Sequence, residues 1–303
     1  MADLKRSKKD GFRSIVCAVD FGAQSSATVR AAVDIALRTG GHVTALSVED
    51  PLLGQGAAAV GYNTTLLRKS TLTQLQRLMQ RVAVPAGLSP DAWSVDTSLG
   101  RPASAIITFA RKKNADLIVM GTSGRRGPAK FFFGSTAEGV LRGAPVPVLV
   151  VTRDRPSRTE RPSPAQHVLG AIELGPTDRG DAKRIARVAA ILGAPLTLLH
   201  VVPITPGPPW FAPQLEGHDR VRLDAAQARL DTLAKLVGGQ SRVALGRPSE
   251  EIPAAAIDAK ASLVVLALRR GRGLFGPRQG TTTYQVLCGA TIPVLALPPT
   301  PAR

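Results

Sequence analysis

Gly121, Gly124 and Gly134, with Ser135 and Thr136 directly after the third glycine, stand in a spacing that can hold an anion against bare backbone: G-x2-G-x9-G-[ST]. Glycine has no Cβ to keep a ligand at a distance and tolerates left-handed conformations. Ser135 and Thr136 fall where a helix over about residues 136–142 is expected to begin. Their hydroxyls can cap that helix, and its N–H groups and positive dipole end favour an anion such as phosphate. A lone Gly121-Thr122-Ser123-Gly124 reads equally well as an ordinary turn. The phosphate reading rests on the full spacing, set directly behind the apolar run 117–120.

These residues need elements to position them. The run 117–120 is short, continuous and apolar, which suits a parallel strand buried on both faces. Strands are also expected over 14–19, 43–48, 93–99 and 146–151. Between them lie amphipathic helices. Val29, Ala32, Val33, Ala36 and Leu37 recur at helical spacing until Gly40-Gly41, with Ser25 and Ser26 expected as caps. Leu72, Leu75, Leu78, Met79 and Val82 form a second stripe, and Pro102 opens a third helix in which Ile106 and Ala110 face the sheet. Residues 51–63 have no clear period and read either as a connector or as a loop folding over a ligand. The alternation implies an α/β fold, a parallel sheet with helices on both faces.

The same order returns after residue 165. Residues 153–164, rich in Arg, Pro and Ser, read as a linker. Beyond it come strands over 168–174 and 195–202, a helix over 182–192, a proline-rich insertion over 203–215 and a long helix over 221–237. At one constant offset Gly100 falls on Gly246, Leu117 on Leu263, Gly134 on Gly280, Gly143 on Gly289 and Pro147 on Pro293. That is an internal duplication. The domains expected are a basic tail over 1–12, a first domain over 13–152, a linker over 153–165 and a second, degenerate domain over 166–298. The copies are not chemically equal. Ala267 takes the place of Gly121, Arg270 that of Gly124 and Glu173 that of Asp20, while Gly280-Thr281 keeps the end of the motif. If Gly121 needs a positive φ, Ala267 restricts the backbone there, and one site per chain is expected.

Composition bounds the function. At 303 residues there is room for two ordinary domains, and with 44% hydrophobic residues and no run long enough to cross a bilayer the expectation is a soluble, cytoplasmic protein without a secretory leader. Two cysteines, Cys17 and Cys288, are too few for a disulfide framework. The net charge of +17 is spread over a tail cluster (Lys5, Arg6, Lys8, Lys9, Arg13), a linker cluster (Arg153, Arg155, Arg158, Arg161) and a loop cluster (Arg269, Arg270, Arg272). Without interleaved aromatics or a base-reading module this argues against specific nucleic-acid binding. No Walker loop, no Ser-His-Asp arrangement among four scattered histidines and no Cys/His metal spacing is present, so nothing obvious activates a water.

The stretch 117–151 resembles the nucleotide-binding signature of the universal stress protein family. Residues 15–22 resemble the family's first strand with its terminal Asp20, residues 43–49 its second, and Gly100-Arg101-Pro102 the start of its third helix. The resemblance implies two tandem five-stranded sheets of order 3-2-1-4-5, paired as an intramolecular pseudo-dimer through their last strands, with further homodimerisation open. It implies ATP, with or without Mg2+, in the first domain, at the switch point between strands one and four. There the backbone around Val48 meets the adenine, Asp20 with Ala18 beside it meets the nucleoside, and Gly121, Gly124, Gly134, Ser135 and Thr136 hold the phosphates. Met120 and Val48 are placed to sandwich a base, though Val48 also suits plain core, and Asp20 also suits capping the loop before Ser25. Arg125, Arg126 and Lys130 can pair with outer phosphates or simply face water. The leading functional expectation is a nucleotide-dependent stress-response sensor or interaction module with an unnamed protein partner and no membrane. A slow ATPase or adenylyl-transferring enzyme, and a scaffold that has lost its nucleotide, remain alternatives.

Overall fold

A computed structural model describes residues 11–49, 51, 64–122, 134–152, 167–208, 210, 212–268 and 282–299. Gly124, Arg125, Arg126, Lys130, Arg270, Gly280 and Thr281 lie outside these residues, as do residues 52–63, the linker 153–166 and every basic-cluster residue except Arg13. The chain divides into two compact units, 1–153 and 154–303.

The first unit contains strands β1 (Ser14–Ala18), β2 (His42–Glu49), β3 (Trp93–Leu99), β4 (Leu117–Gly121) and β5 (Val148–Val151). All pair in parallel in the order β3-β2-β1-β4-β5. The crossovers are helices α1 (Ser25–Thr39), α2 (Thr64–Ala86), α3 (Pro102–Lys112) and α4 (Ser135–Gly143). They pack as two pairs, α1 with α2 and α3 with α4. Strand β5 and residues 117–120 of β4 are buried throughout, as a sheet covered on both faces requires. Helix α1 ends as its sequence demands, with Gly40 at φ 62° and its N–H bonded to the Ala36 carbonyl. Register at the sheet centre is fixed by Asp116, whose carboxylate accepts the Arg13 N–H at 2.8 Å and the Ser14 N–H at 3.2 Å. Burial nonetheless pushes that carboxyl above its ordinary range.

The second unit repeats the plan with β6 (Val168–Ala171), β7 (Leu196–Val202), β8 (Gln240–Leu245), β9 (Leu263–Ala267) and β10 (Val294–Leu297), ordered β8-β7-β6-β9-β10. Its helices are α5 (Asp178–Leu192), α6 (Ala212–Val237), α7 (Pro248–Asp258) and α8 (Thr282–Gly289). Four boundaries move from expectation. Strand β6 stops at Ala171, α5 starts at Asp178 rather than 182, α6 starts at Ala212 inside the expected insertion, and β5 starts at Val148. The period of apolar residues locates the buried stripe of a helix but is blind to polar turns added before it, which explains both early helix starts.

Candidate functional site

Strand β1 lies between β2 and β4, so the sheet order reverses beside it, and the register that sets Cys17 against Val119 brings the carboxyl ends of β1 and β4 together. From Ala18, which is half-buried, the chain passes through Val19, held by a 2.8 Å bond from its N–H to the Leu46 carbonyl, and reaches Asp20. Phe21 then takes φ 59°, a left-handed conformation uncommon for a bulky residue. The turn is stabilised from within. One Asp20 carboxylate oxygen accepts the Gly22 N–H at 2.9 Å and the Ser25 hydroxyl at 3.1 Å. The capping alternative for Asp20 is therefore realised, and any ligand on this exposed carboxylate has to share it with the loop. Ser25 is the first helical residue rather than a cap, and the cap position belongs to Gln24 without a side-chain bond.

The other lip is made by the end of β4. Met120 is 4% exposed and presents little of itself to a ligand, while Val48 on β2 is half-buried. Gly121 corrects the sequence expectation, because it is the last strand residue and is absent from the positive-φ positions. Its lack of a side chain answers to crowding instead. A Cβ there would stand 3.0 Å from Gln24 Oε1 and 3.3 Å from Thr28 Oγ1. Thr122 donates its hydroxyl to Gln24 Oε1 at 3.3 Å, and its carbonyl accepts the Gly134 N–H at 2.9 Å. The chain thus leaves at Thr122 and returns at Gly134 joined by a hydrogen bond. Gly134 is the N-cap of α4 and supplies no side chain, and neither the Ser135 nor the Thr136 hydroxyl caps the helix or has another partner among the described residues. The helix start that the sequence assigns to phosphate is left uncapped, and the first-turn Glu138 is paired with Arg142.

Two residues that sequence reasoning passed over sharpen the site. Among the described residues Gln24 Nε2 and Glu49 Oε1 are buried without a hydrogen-bond partner at this end of the sheet, as Trp93 Nε1 is at the other end, where β3 starts. Such atoms cost about 1–3 kcal/mol each unless something supplies the missing bond. Gln24 and Glu49 offer one donor and one acceptor at the carboxyl ends of β1 and β2, which fits a polar ligand such as a nucleoside. The signal for Glu49 was present, since a carboxylate ends a strand next to a switch point. Gln24 gave no signal in its pattern.

The second unit closes the same places. Thr177, at the position of Gln24, donates its hydroxyl to Asp181 at 2.9 Å, and Val202 replaces Glu49 with an apolar side chain. Asp178, at the position of Ser25, is 2% exposed and accepts Arg229 through two bonds of 2.9 and 3.0 Å. The guanidinium holds the Asp178 carboxyl below the usual carboxylate range. Among the described residues, no buried side-chain polar atom of this unit lacks a partner.

The universal stress protein family model matches residues 11–152 and again 164–298. The chain belongs to that family. A universal stress protein of Methanocaldococcus jannaschii is 32% identical over 152 residues, covering 50% of this chain and 88% of the relative. Over the whole chain, the crystal structure of a universal stress protein from Archaeoglobus fulgidus aligns with a TM-score of 0.68 at 18% identity, covering 97% of this chain and 98% of that one. A functionally unknown protein of Pseudomonas aeruginosa aligns with a TM-score of 0.65 at 21% identity, covering 96% and 94%. Likeness at these identities shows the fold, two tandem universal stress protein domains. Among the described residues no helix is long and apolar enough to cross a membrane, and no group of His, Cys, Asp or Glu is arranged to hold a metal ion.

Proposed function

We propose that the first unit binds ATP at the carboxyl ends of β1, β2 and β4, and that the protein acts as a nucleotide-dependent regulatory module of the stress response. The observation that carries this reading is that two buried atoms without a hydrogen-bond partner among the described residues, Gln24 Nε2 and Glu49 Oε1, meet at the carboxyl ends of β1 and β2, whereas the third such atom, Trp93 Nε1, lies at the opposite end of the sheet where β3 starts. The uncapped start of α4 supports it as a phosphate position, and Gly134, Ser135 and Thr136 would hold that group. Ala18, Asp20 and Val48 would surround the nucleoside, with Met120 and Gly121 below it, and Gly124 and Arg125 complete the proposed set from outside the described residues. Mg2+, where present, arrives with the triphosphate. The second unit binds no nucleotide and contributes fold and surface.

The decisive experiment is to purify the chain, release any small molecule by denaturation and identify it by chromatography, then titrate the emptied protein by calorimetry. One equivalent of ATP per chain is expected. Two equivalent sites, or no uptake of ATP, overturns the proposal.

A further inference from the structure

A groove of about 630 Å³ opens beside the start of α1, with Gly22, Ser25 and Ser26 on one side and Arg77, Leu78 and Arg81 of α2 on the other. Arg77 and Arg81 are four residues apart on one helix and share a face. Neither guanidinium has a hydrogen-bond or ion-pair partner among the described residues, and the first turn of α1 contains no acidic residue. Two cations without a partner among the described residues therefore border a helix start whose positive end meets one carboxylate, Asp20, through the Gly22 N–H and the Ser25 hydroxyl.

The second unit shows what belongs there. Helices α2 and α6 end alike, at Gly87 with φ 83° and Gly238 with φ 69°. The closing bonds also match, Leu88 N–H to the Ala83 carbonyl and Gly239 N–H to the Ala234 carbonyl. Counting back from these ends sets Leu78 against Arg229, Arg77 against Ala228 and Arg81 against Thr232. The first helical residues correspond as well, Ser25 with Asp178. In the second unit a carboxylate at the helix start and a guanidinium from the long helix neutralise each other within the chain. In the first unit the guanidiniums are doubled and no carboxylate stands at the first helical position.

We propose that this groove is a second ligand site, which takes the phosphate group of a small phosphorylated molecule between Arg77, Arg81 and the start of α1. Two guanidiniums suit a doubly charged, multi-oxygen group better than a single carboxylate, because each can bond two oxygens at once. The volume exceeds inorganic phosphate and lies in the range of small-molecule sites, so the phosphate is one end of a larger molecule. Its arginines lie outside the nucleotide crevice, while Gly22 and Ser25 border both sites through their bonds to Asp20.

The test uses the full chain, with inorganic pyrophosphate as the probe, followed by amide NMR and calorimetry. Saturable shifts at Ser25 and Ser26 are expected. Arg77→Gln with Arg81→Gln, both on the exposed face of α2, should weaken pyrophosphate at least about tenfold without lowering the melting temperature. Ser25→Asp with Leu78→Arg transplants the second unit's ion pair and should abolish the shifts. Pyrophosphate that still binds after saturation with ATP identifies a separate phosphorylated ligand. Competition by ATP, together with loss of ATP affinity in the glutamine variant, identifies the tail of the nucleotide itself. Uptake of pyrophosphate with no uptake of ATP leaves this site standing and removes the nucleotide reading alone. Shifts that are absent, unchanged in the glutamine variant, or reproduced by chloride at equal ionic strength overturn the proposal.

Discussion

The two units share one fold and differ in how completely they satisfy themselves. In the core of the second unit Gly170 lies against Ile185, where a Cβ on the glycine would collide with Ile185 Cγ2, and the corresponding positions of the first unit are the fully buried Cys17 and Ala32. The copies have exchanged volume across the same contact, as a close-packed interior requires. At the carboxyl end they part in kind. The second unit pairs Thr177 with Asp181 and Asp178 with Arg229, while in the first the buried Gln24 Nε2 and Glu49 Oε1 and the exposed Arg77 and Arg81 have no partner among the described residues. Duplicated cores drift in step because both halves must stay folded.

The comparison can be broken most severely at the core. Gly170→Cys should destabilise the second unit by about 3 kcal/mol through overpacking, and Ile185→Ala in the same chain should restore most of that loss. Chemical denaturation of the two single variants and the double one measures the coupling; additive effects would show that the exchange of volume is not a contact. Cys17 itself should stay unreactive toward thiol reagents in the folded chain, since burial raises its thiol pKa to about 12.

Next in size is Asp178→Asn, which should cost about 2 kcal/mol near neutral pH. The folded carboxyl titrates below its unfolded value, so its contribution is complete above the ordinary carboxylate pKa of about 3.9 and disappears as pH falls through the lower folded value. The stability gap between wild type and variant should therefore close on acidification, as followed by hydrogen exchange in α5. A gap that stays constant down to pH 3 refutes the assignment. In the first unit Asp116 has the opposite sign, since a raised carboxyl pKa favours the fold at low pH.

A smaller effect separates the two crevices. Gly121→Val should lower ATP affinity at least about tenfold, or 1.4 kcal/mol, by displacing Gln24, whereas Ala267→Val should change it little. Equal losses from the two substitutions in calorimetry would mean that both units bind. Smallest of all, Gln24→Thr and Glu49→Val install the second unit's residues. Each should raise stability by about 1 kcal/mol while weakening ATP. The opposite signs are the diagnostic, since purely structural residues would lose stability on replacement.

The sequence by itself determined the family, the duplication and the alternation of strands and helices. Apolar runs such as 117–120 and the stripe from Val29 to Ala36 depend on local periodicity, and the parallel copies of Gly100 and Gly246 can be counted without coordinates. It also placed Asp20 and Gly121 together, because strand order and strand ends follow from the family plan. The positive φ on which the restriction at Ala267 depended is absent at Gly121, and the crowding there by Gln24 and Thr28 comes from residues distant in sequence. Only the tertiary structure decided which polar groups find partners. Gln24, Arg77 and Arg81 look like ordinary surface residues in the chain, and Glu49 shows only as the carboxylate at the end of a strand. Their unsatisfied state is a property of what the folded neighbours fail to provide, and no one-dimensional pattern records it.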